Sequence, residues 1–399
     1  MRSPLLDLPG AVPDEFDEDV PARFDDFSGE QWQLEAGQAL SDLSDLGVVQ
    51  VSGPDRLSWL TTISSQVVNP LPPGESRELL LLDPNGRISF AIAIIDDGQV
   101  ATLLVEGAKA GDLTEFLGRM QFMLRVEVRN VTSEVAIVGS MVKTDADDWH
   151  RVANEVVPDL PGYLFTWVDP WPGVTEGGAS YTPQGFAHPA QGRTRALHGV
   201  DRAQLTEFAS AWAKRGSWAG RNAWEALRIE DLRPRFGREV DEKTVPHELD
   251  WLRTAVHLNK GCYSGQESVA RIVNMGKPPR RLVLLQLDGS QSRVVKPGAD
   301  VVLNNRRVGQ VTSVARHADW GPIALAVIRR AIPLDAQLDV QTSEGEVAAA
   351  QEVVVDPLGR SSASPKERPG EELRKARREM PGVANPGTPG GFGIGGRSL

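Results

Sequence analysis

The chain has 399 residues, of which 40% are hydrophobic and 24% charged, with a formal charge of -11 and one cysteine. That length accommodates more than one domain with a substantial core, and the acidic balance argues against general nucleic-acid binding. A single cysteine excludes an internal disulfide or a cluster held by several thiolates, the scattered histidines have no zinc-ligand spacing, and no apolar run approaches a membrane span.

Residues 1–33 form an extension rich in Asp, Glu and Pro, without the basic and apolar regions of an export signal, so a cytoplasmic location is expected. A strand over 46–51 leads to Ser52 and Asp55, which have capping-box spacing, and Leu57, Leu60 and Ile63 recur at helical intervals until the prolines at 70–73. Residues 79–82 and 88–95 read as two strands around the turn DPNGR, and Val100–Val105 as a third after Asp97-Gly98. Leu113, Phe116, Leu117 and Met120 mark a helical face, followed by strands at 124–128 and 135–138. From 145 to 190 prolines dominate, and the stretch reads as connections around one strand, Tyr163–Val168.

Leu205, Phe208, Ala209 and Trp212 share a helical stripe, and a second helix over 223–229 turns Trp224 and Leu227 inward. Arg228, Glu230, Asp231, Arg233 and Arg235 then alternate in charge; such a run is commonly a solvated or internally paired face, and lining a cleft it would bind a polar ligand. Leu249, Leu252 and Val256 predict a helix leading into KGCYSGQESVAR at 260–271. There, Ser264 and Glu267 have capping-box spacing, which predicts a helix start at Ser264 with Cys262 just ahead of its positive end. Lys260 would add positive charge if it turned the same way, making the thiol acidic, and Gly261 and Gly265 free the backbone around it. The plainer reading is a small buried cysteine on a glycine turn. His257, five residues earlier, reads as a surface histidine rather than a base. The helix must stop by Gly276, Lys277, Pro278 and Pro279, which mark a domain boundary; short strands without helices then suggest a small antiparallel barrel over 278–357. Residues 358–399 read as a flexible Pro- and Gly-rich tail with a transient helix over 371–378.

LNKGCYSGQESVAR, together with EALRIEDLRPRFG, VSGPDRLSWLTTISSQVV, LLLDPNGRISFAIAI and GQVTSVARHADWGPIALAVIRR, resembles the YgfZ-type folate-binding proteins, relatives of the aminomethyltransferase of glycine cleavage, over 38–355. The resemblance implies an α+β fold in which two intertwined α+β portions, within 34–277, surround a folate-binding channel, followed by a C-terminal antiparallel β-barrel. It implies tetrahydrofolate or a one-carbon derivative as cofactor, no permanently bound metal, transient iron–sulfur client or assembly proteins as partners, and neither nucleic acid nor membrane. Cys262 is then the functional thiol, with Lys260, Gly261, Tyr263, Gly265, Gln266, Glu267 and Arg271 as motif companions. Arg228, Glu230, Tyr263 and Trp59 would contact the folate. The aminomethyltransferases carry acids after a glycine turn, whereas this chain has Gly86, Arg87, Ile88, Ser89, Phe90 and Ala91 there. The expectation is an accessory protein for assembly or repair of iron–sulfur enzymes rather than a conventional aminomethyltransferase. The alternatives are a folate-dependent one-carbon transferase and a non-catalytic protein-interaction module.

Overall fold

The apolar runs of the first half are nearly continuous because their strands are buried on both faces. In the computed structural model, which describes residues 1–24, 26–143, 157–183 and 185–366, they form two five-stranded sheets. A small hairpin, β1 (Val12–Pro13) and β2 (Pro21–Arg23), opens the chain before helix α1 (Phe27–Glu35). Strands β3 (Ala39–Asp42) and β4 (Gly47–Ser52) part into different sheets, and α2 (Arg56–Ile63) follows. Next come β5 (Ser76–Leu82), β6 (Ile88–Asp96), β7 (Val100–Val105), α3 (Ala110–Met120) and β8 (Glu127–Asn130), giving one antiparallel sheet ordered β5-β6-β7-β4-β8. Leu79 and Leu81 face α2 and α3, where Trp59, Leu60, Leu113 and Leu117 pack; Leu80 and Leu82 face the opposite core.

The second sheet is ordered β10-β11-β9-β3-β12, from β9 (Val135–Lys143), β10 (Tyr163–Val168), β11 (Arg193–Asp201) and β12 (Ser217–Ala219). Helix α4 (Leu205–Trp212) covers one face through Leu205, Phe208 and Trp212, and α5 (Arg221–Glu230) covers the other through Ala223, Trp224 and Leu227. A shared core joins Val48, Ile95 and Leu104 of the first sheet to Ile137 and Trp167 of the second. Beyond it lie α6 (Gln266–Met275) and the closed barrel β13-β16-β15-β14-β17-β18, made by β13 (Arg280–Leu287), β14 (Asp300–Leu303), β15 (Arg306–His317), β16 (Gly321–Arg329), β17 (Leu338–Thr342) and β18 (Gly345–Val353). The α+β architecture with a terminal antiparallel barrel matches the expectation.

Several local expectations change. Strand β11 follows the stretch read as connections, in a segment assigned no element from the sequence, and pairs with β9 over its full length. The helix expected through 249–256 is broken at Asp250, which takes φ 55 and accepts hydrogen bonds from Ser180 Oγ, Arg253 and the Tyr181 N–H, leaving only short turns at Pro246–Leu249 and Leu252–Ala255. The strand expected at 124–128 begins at Glu127, after a turn at Phe122 with φ 44. Residues 1–24 pack onto the body, with Leu5 and Val20 buried, and lie against the start of α5. A Cβ on Gly220 would come within 2.2 Å of the Ala22 carbonyl oxygen, so only glycine permits this approach. Residues up to 366 run back along α6, where Ser364 Oγ donates to the Val273 carbonyl at 2.8 Å. The stretch 145–150 and the helix considered over 371–378 lie outside the described residues.

Candidate functional site

Between the two sheets lies a narrow cleft of about 130 Å³. On β6 the side chains alternate, so Phe90 joins the core under α3 while Ala91 and Ala93 border the cleft. Their small size leaves the space. Glu78 enters from β5, where it pairs with Ala93, and Asp169 follows the end of β10. Trp167, Trp224 and Trp251 supply aromatic walls, while Arg195 of β11 and Arg233 supply charge.

Arg233 reaches the cleft because Leu232 takes φ 55 directly after α5 and reverses the chain. A left-handed conformation is costly for such a residue and persists only where its surroundings fix it. Here Leu232 is buried, Trp171 Nε1 donates to the Asp231 carbonyl at 2.9 Å, and Arg228 Nη1 donates to the Arg233 carbonyl at 2.6 Å. The Arg233 guanidinium donates from Nε to Asp169 at 2.9 Å and from Nη2 to Glu78 at 2.6 Å. It lies 5.2 Å from the Trp171 ring centre and 5.9 Å from that of Trp251. Burial works against its charge, but Asp169 and Glu78 outweigh this and hold its pKa above the usual arginine value.

Glu78 accepts from Trp251 Nε1 at 2.9 Å and from Thr254 Oγ1 besides Arg233. With about four acceptor positions on a carboxylate, one stays open to a ligand. Arg195 stands 5.1 Å over Trp224 and donates from Nη2 to Asp231 at 2.9 Å. Burial lowers its pKa to about 10 despite Asp231 and Asp169. Arg195 Nε and Arg233 Nη1 are buried donors without a hydrogen-bond partner, as is Arg221 Nε. All three belong to side chains that line the cleft.

Of the residues anticipated as folate contacts, Arg228 borders this cleft, but its five N–H groups are committed to Glu225, Glu239, Ser313 and the Arg233 carbonyl. It ties α5 to the barrel. Glu230 is held by Arg193 at 2.8 Å and faces His317 at 3.4 Å; burial would raise its pKa, and hydrogen bonding to His317 and Arg193 with the Arg193 charge brings it down. Trp59 is in the core under α2 and α3. Tyr263 packs half-buried against the core beside α6, and burial raises its pKa to about 12. Glu78, Asp169 and Arg195, not anticipated as site residues, are the groups the fold brings together with Arg233. The polar interruption in SRELLLL was the available signal for Glu78.

The cysteine loop sits apart, against the β5–β6 turn. A Cβ on Gly265, which has φ 80, would meet the Asp83 carbonyl oxygen at 2.6 Å and Gly86 Cα at 2.7 Å. Ala91 is four residues along β6 from Arg87, about 13 Å at strand spacing, so the loop touches the sheet away from the cleft. Cys262 is exposed, which rules out the buried reading. Helix α6 starts at Gln266 after Gly265, not at Ser264, and no side chain caps it. Lys260 donates to the carbonyls of Thr61 and Ser64, neutralising the C-terminal end of α2, and covers the Tyr263 ring at 4.8 Å. Burial lowers the Lys260 pKa to about 8. Gln266 Nε2 closes the loop onto the Lys260 carbonyl at 3.1 Å, and its contact with the Gly261 carbonyl is 3.4 Å. Gly261 faces open space, and Glu267 and Arg271 are exposed. His257 packs its ring against Gly177. Gly265→Ala is expected to cost more than about 1 kcal/mol and to speed thiol labelling of Cys262 as the loop lifts. Unchanged urea midpoint and labelling rate would show that the seat is not needed.

Among the described residues, no group of three or more His, Cys, Asp and Glu is arranged to hold a metal, and no helix is long and apolar enough to cross a membrane. Two sheets around an aromatic and arginine-lined cleft, followed by a barrel, are the arrangement that the comparisons below share. Residues 280–358 match the glycine cleavage T-protein C-terminal barrel domain family. The chain is 25% identical over 327 residues to the aminomethyltransferase of Thermotoga neapolitana, covering 80% of this chain and 86% of that protein. It is 26% identical over 287 residues to a putative chloroplastic transferase of Arabidopsis thaliana, covering 69% and 62%. The fold is shared with the crystal structure of the glycine cleavage system aminomethyltransferase T from Bartonella henselae, at a TM-score of 0.69, 17% identity, and coverage of 89% of this chain and 97% of that one. Along most of its length the chain is thus similar to aminomethyltransferases in sequence and fold, with the family match itself confined to the barrel. Repeated likeness to aminomethyltransferases along most of their length overturns the expectation of an accessory protein rather than an enzyme.

Proposed function

We propose that the chain is a folate-dependent one-carbon transferase that binds tetrahydrofolate, or a one-carbon derivative, in the cleft between its two sheets. The observation that carries this reading is the presence of unpartnered buried donors, Arg195 Nε and Arg233 Nη1 among them, beside Trp167, Trp224 and Trp251. A reduced folate has a flat pterin with edge donors and acceptors and an anionic tail. Its ring fits indole walls, its acceptors fit the free guanidinium donors, and its N–H groups fit the remaining acceptor positions of Glu78 and Asp169. When bound, the folate supplies the nitrogen that receives the one-carbon unit.

The protein's part is to orient that ring and keep it from water. The strand after the β5–β6 turn carries no acid at Ser89, Phe90 or Ala91, yet the cleft is not without carboxylates, because β5 and the end of β10 provide Glu78 and Asp169. These hold Arg233 in place and stand as acceptors for a substrate N–H or ammonium. Exposed Cys262 serves in this reading as a functional thiol outside the pterin site, open to the amine donor or its carrier. The test combines calorimetric titration of tetrahydrofolate, under reducing and oxygen-free conditions, with product formation from an aminomethyl donor. Saturable binding and a one-carbon folate product are expected; binding without product across a range of amine donors would refute the transferase reading.

A further inference from the structure

We propose that the chain pairs with a second copy of itself, each copy seating the apolar tip of its α3–β8 loop on helix α3 of the other. The tip is Phe122, Met123 and Leu124, which are 83%, 99% and 38% exposed. Exposed apolar residues are ordinary one at a time, whereas three in a row at a protruding tip mark an interaction surface. The loop is firmly held. Leu124 donates its N–H to the Gln121 carbonyl at 3.0 Å, and Gln121 Nε2 donates to the Val126 carbonyl. Arg125 donates to Asp55 from its backbone N–H at 2.9 Å and from Nη2 at 2.8 Å. A Cβ on Gly53, which has φ 103, would stand 2.1 Å from the Arg125 carbonyl oxygen, so only glycine lets the loop rest against the approach to α2. Phe122 takes φ 44, a conformation costly for a bulky residue that persists where its surroundings fix it. That fixed backbone holds two large apolar side chains out in water.

Just before the tip, α3 carries a groove of about 410 Å³ lined by Asp112, Glu115, Phe116, Arg119 and Met120. Phe116 and Met120 are half-buried and give it an apolar floor. Along the adjoining solvent face Gly111, Glu115 and Gly118 recur at intervals of four and three, and a Cβ on either glycine would meet nothing within 4 Å. Glycine weakens an exposed helix, and no contact within the chain requires it here; a second backbone lying close across this face does. Tip and groove adjoin on one helix, which is what a two-fold axis needs to close both contacts at once. Two antiparallel α3 helices related by an axis level with Leu117 set Glu115 of one copy beside Arg119 of the other. Each tip then reaches the start of the opposite helix, where Gly111 and Asp112 lie. Within one copy Glu115 pairs with Arg119, and Asp112 with Lys109 at 2.8 Å. Such exposed pairs are weak and exchange partners across the axis with no charge left over. The same acids, with the net charge of -11, repel an anionic lipid surface and favour the second copy as occupant.

Sedimentation equilibrium on the full chain tests this pairing, which does not depend on what the cleft binds. The natural chain is expected to dimerise below about 100 μM. Met123→Glu, at a side chain almost wholly exposed in its own copy, should raise the dissociation constant about tenfold or more. Adding Asp112→Lys gives the new acid a cation in the opposite groove and should recover most of that loss. Adding Glu207→Lys instead, the same change of net charge on the exposed side of α4, should not. Gly118→Gln should weaken pairing by a similar factor while raising the urea midpoint of the monomer, opposite signs that damage to the fold would not give. A natural chain that stays monomeric to about 100 μM, a dimer indifferent to Met123→Glu, or equal recovery in the two double variants would each overturn the proposal.

Discussion

Lowering the pH from 7 to 5 is expected to cost this protein several kcal/mol of stability, each of three buried histidines contributing about 2 kcal/mol. His198 is enclosed in the second sheet, 2.9 Å from Thr166 Oγ1 and 2.8 Å from Ser140 Oγ. His247 lies under α6, 3.1 Å from the Val269 carbonyl, and His188 stands edge-on to Trp171 at 5.3 Å. Burial pushes their pKa values down to about 3 for His198, about 4 for His247 and about 3 for His188, where the Arg253 charge adds to it. Unfolded, each imidazole takes up a proton near pH 6.5, and folded, each stays neutral to pH 3 or 4. The unfolded state binds more protons in that window, so stability falls as pH drops through it. Asp45 acts oppositely, because burial raises its pKa to about 6 despite Arg221 and Arg235. Its folded form protonates first and returns about 1 kcal/mol by pH 5. Asp42, Asp231 and Asp250, also raised chiefly by burial, act in the same direction. Urea unfolding at both pH values measures the difference, and His188→Gln should flatten it. Equal midpoints with equal slopes would show that the imidazoles titrate normally.

The sequence was most readable where side-chain period and burial agree. The barrel strands alternate and are punctuated by glycines, and β5 to β7 are apolar enough to read as strands whichever face is considered. Strand β11 shows where this fails. In RTRALHGVD, Arg193 and Arg195 lie on a strand buried on both sides, and such charge reads as a loop until the acids that neutralise it are known. Those acids, Glu35, Glu230 and Asp231, come from two other elements. The same distance in sequence hid the role of Lys260. Proximity to Cys262 suggested that its charge would act on the thiol, but a long side chain goes where unpaired carbonyls are, and the end of α2 lies in reach. Aromatic residues carried the least information, since Trp59 in a core and Trp224 in a cleft have the same local sequence character. The missing acid after Gly86 was read correctly as sequence, yet a cleft collects carboxylates from any strand that borders it.

Replacing Arg233 with methionine is expected to destabilise the protein by about 3–5 kcal/mol and to abolish folate binding. The Arg233 side chain is 8% exposed, and its partners Glu78 and Asp169 are as deeply placed at 4% and 3%. Removing the cation leaves two buried carboxylates whose mutual repulsion and lost solvation have no compensation, a larger penalty than the ion pairs themselves are worth. Trp171 and Trp251 also lose the charge packed against their rings. The triple variant Arg233→Met, Glu78→Gln, Asp169→Asn separates the two roles of this cluster. It removes both orphaned charges while keeping the hydrogen-bonding shapes of Glu78 and Asp169, so most of the stability should return in urea titrations. Folate binding should not return with it, because the Arg233 guanidinium and the two carboxylates proposed to meet the folate are gone. Recovery of binding together with stability would mean that Arg233 only braces the walls and that Arg195 alone meets the ligand; then Arg195→Met, in the otherwise natural chain, should be the substitution that abolishes binding.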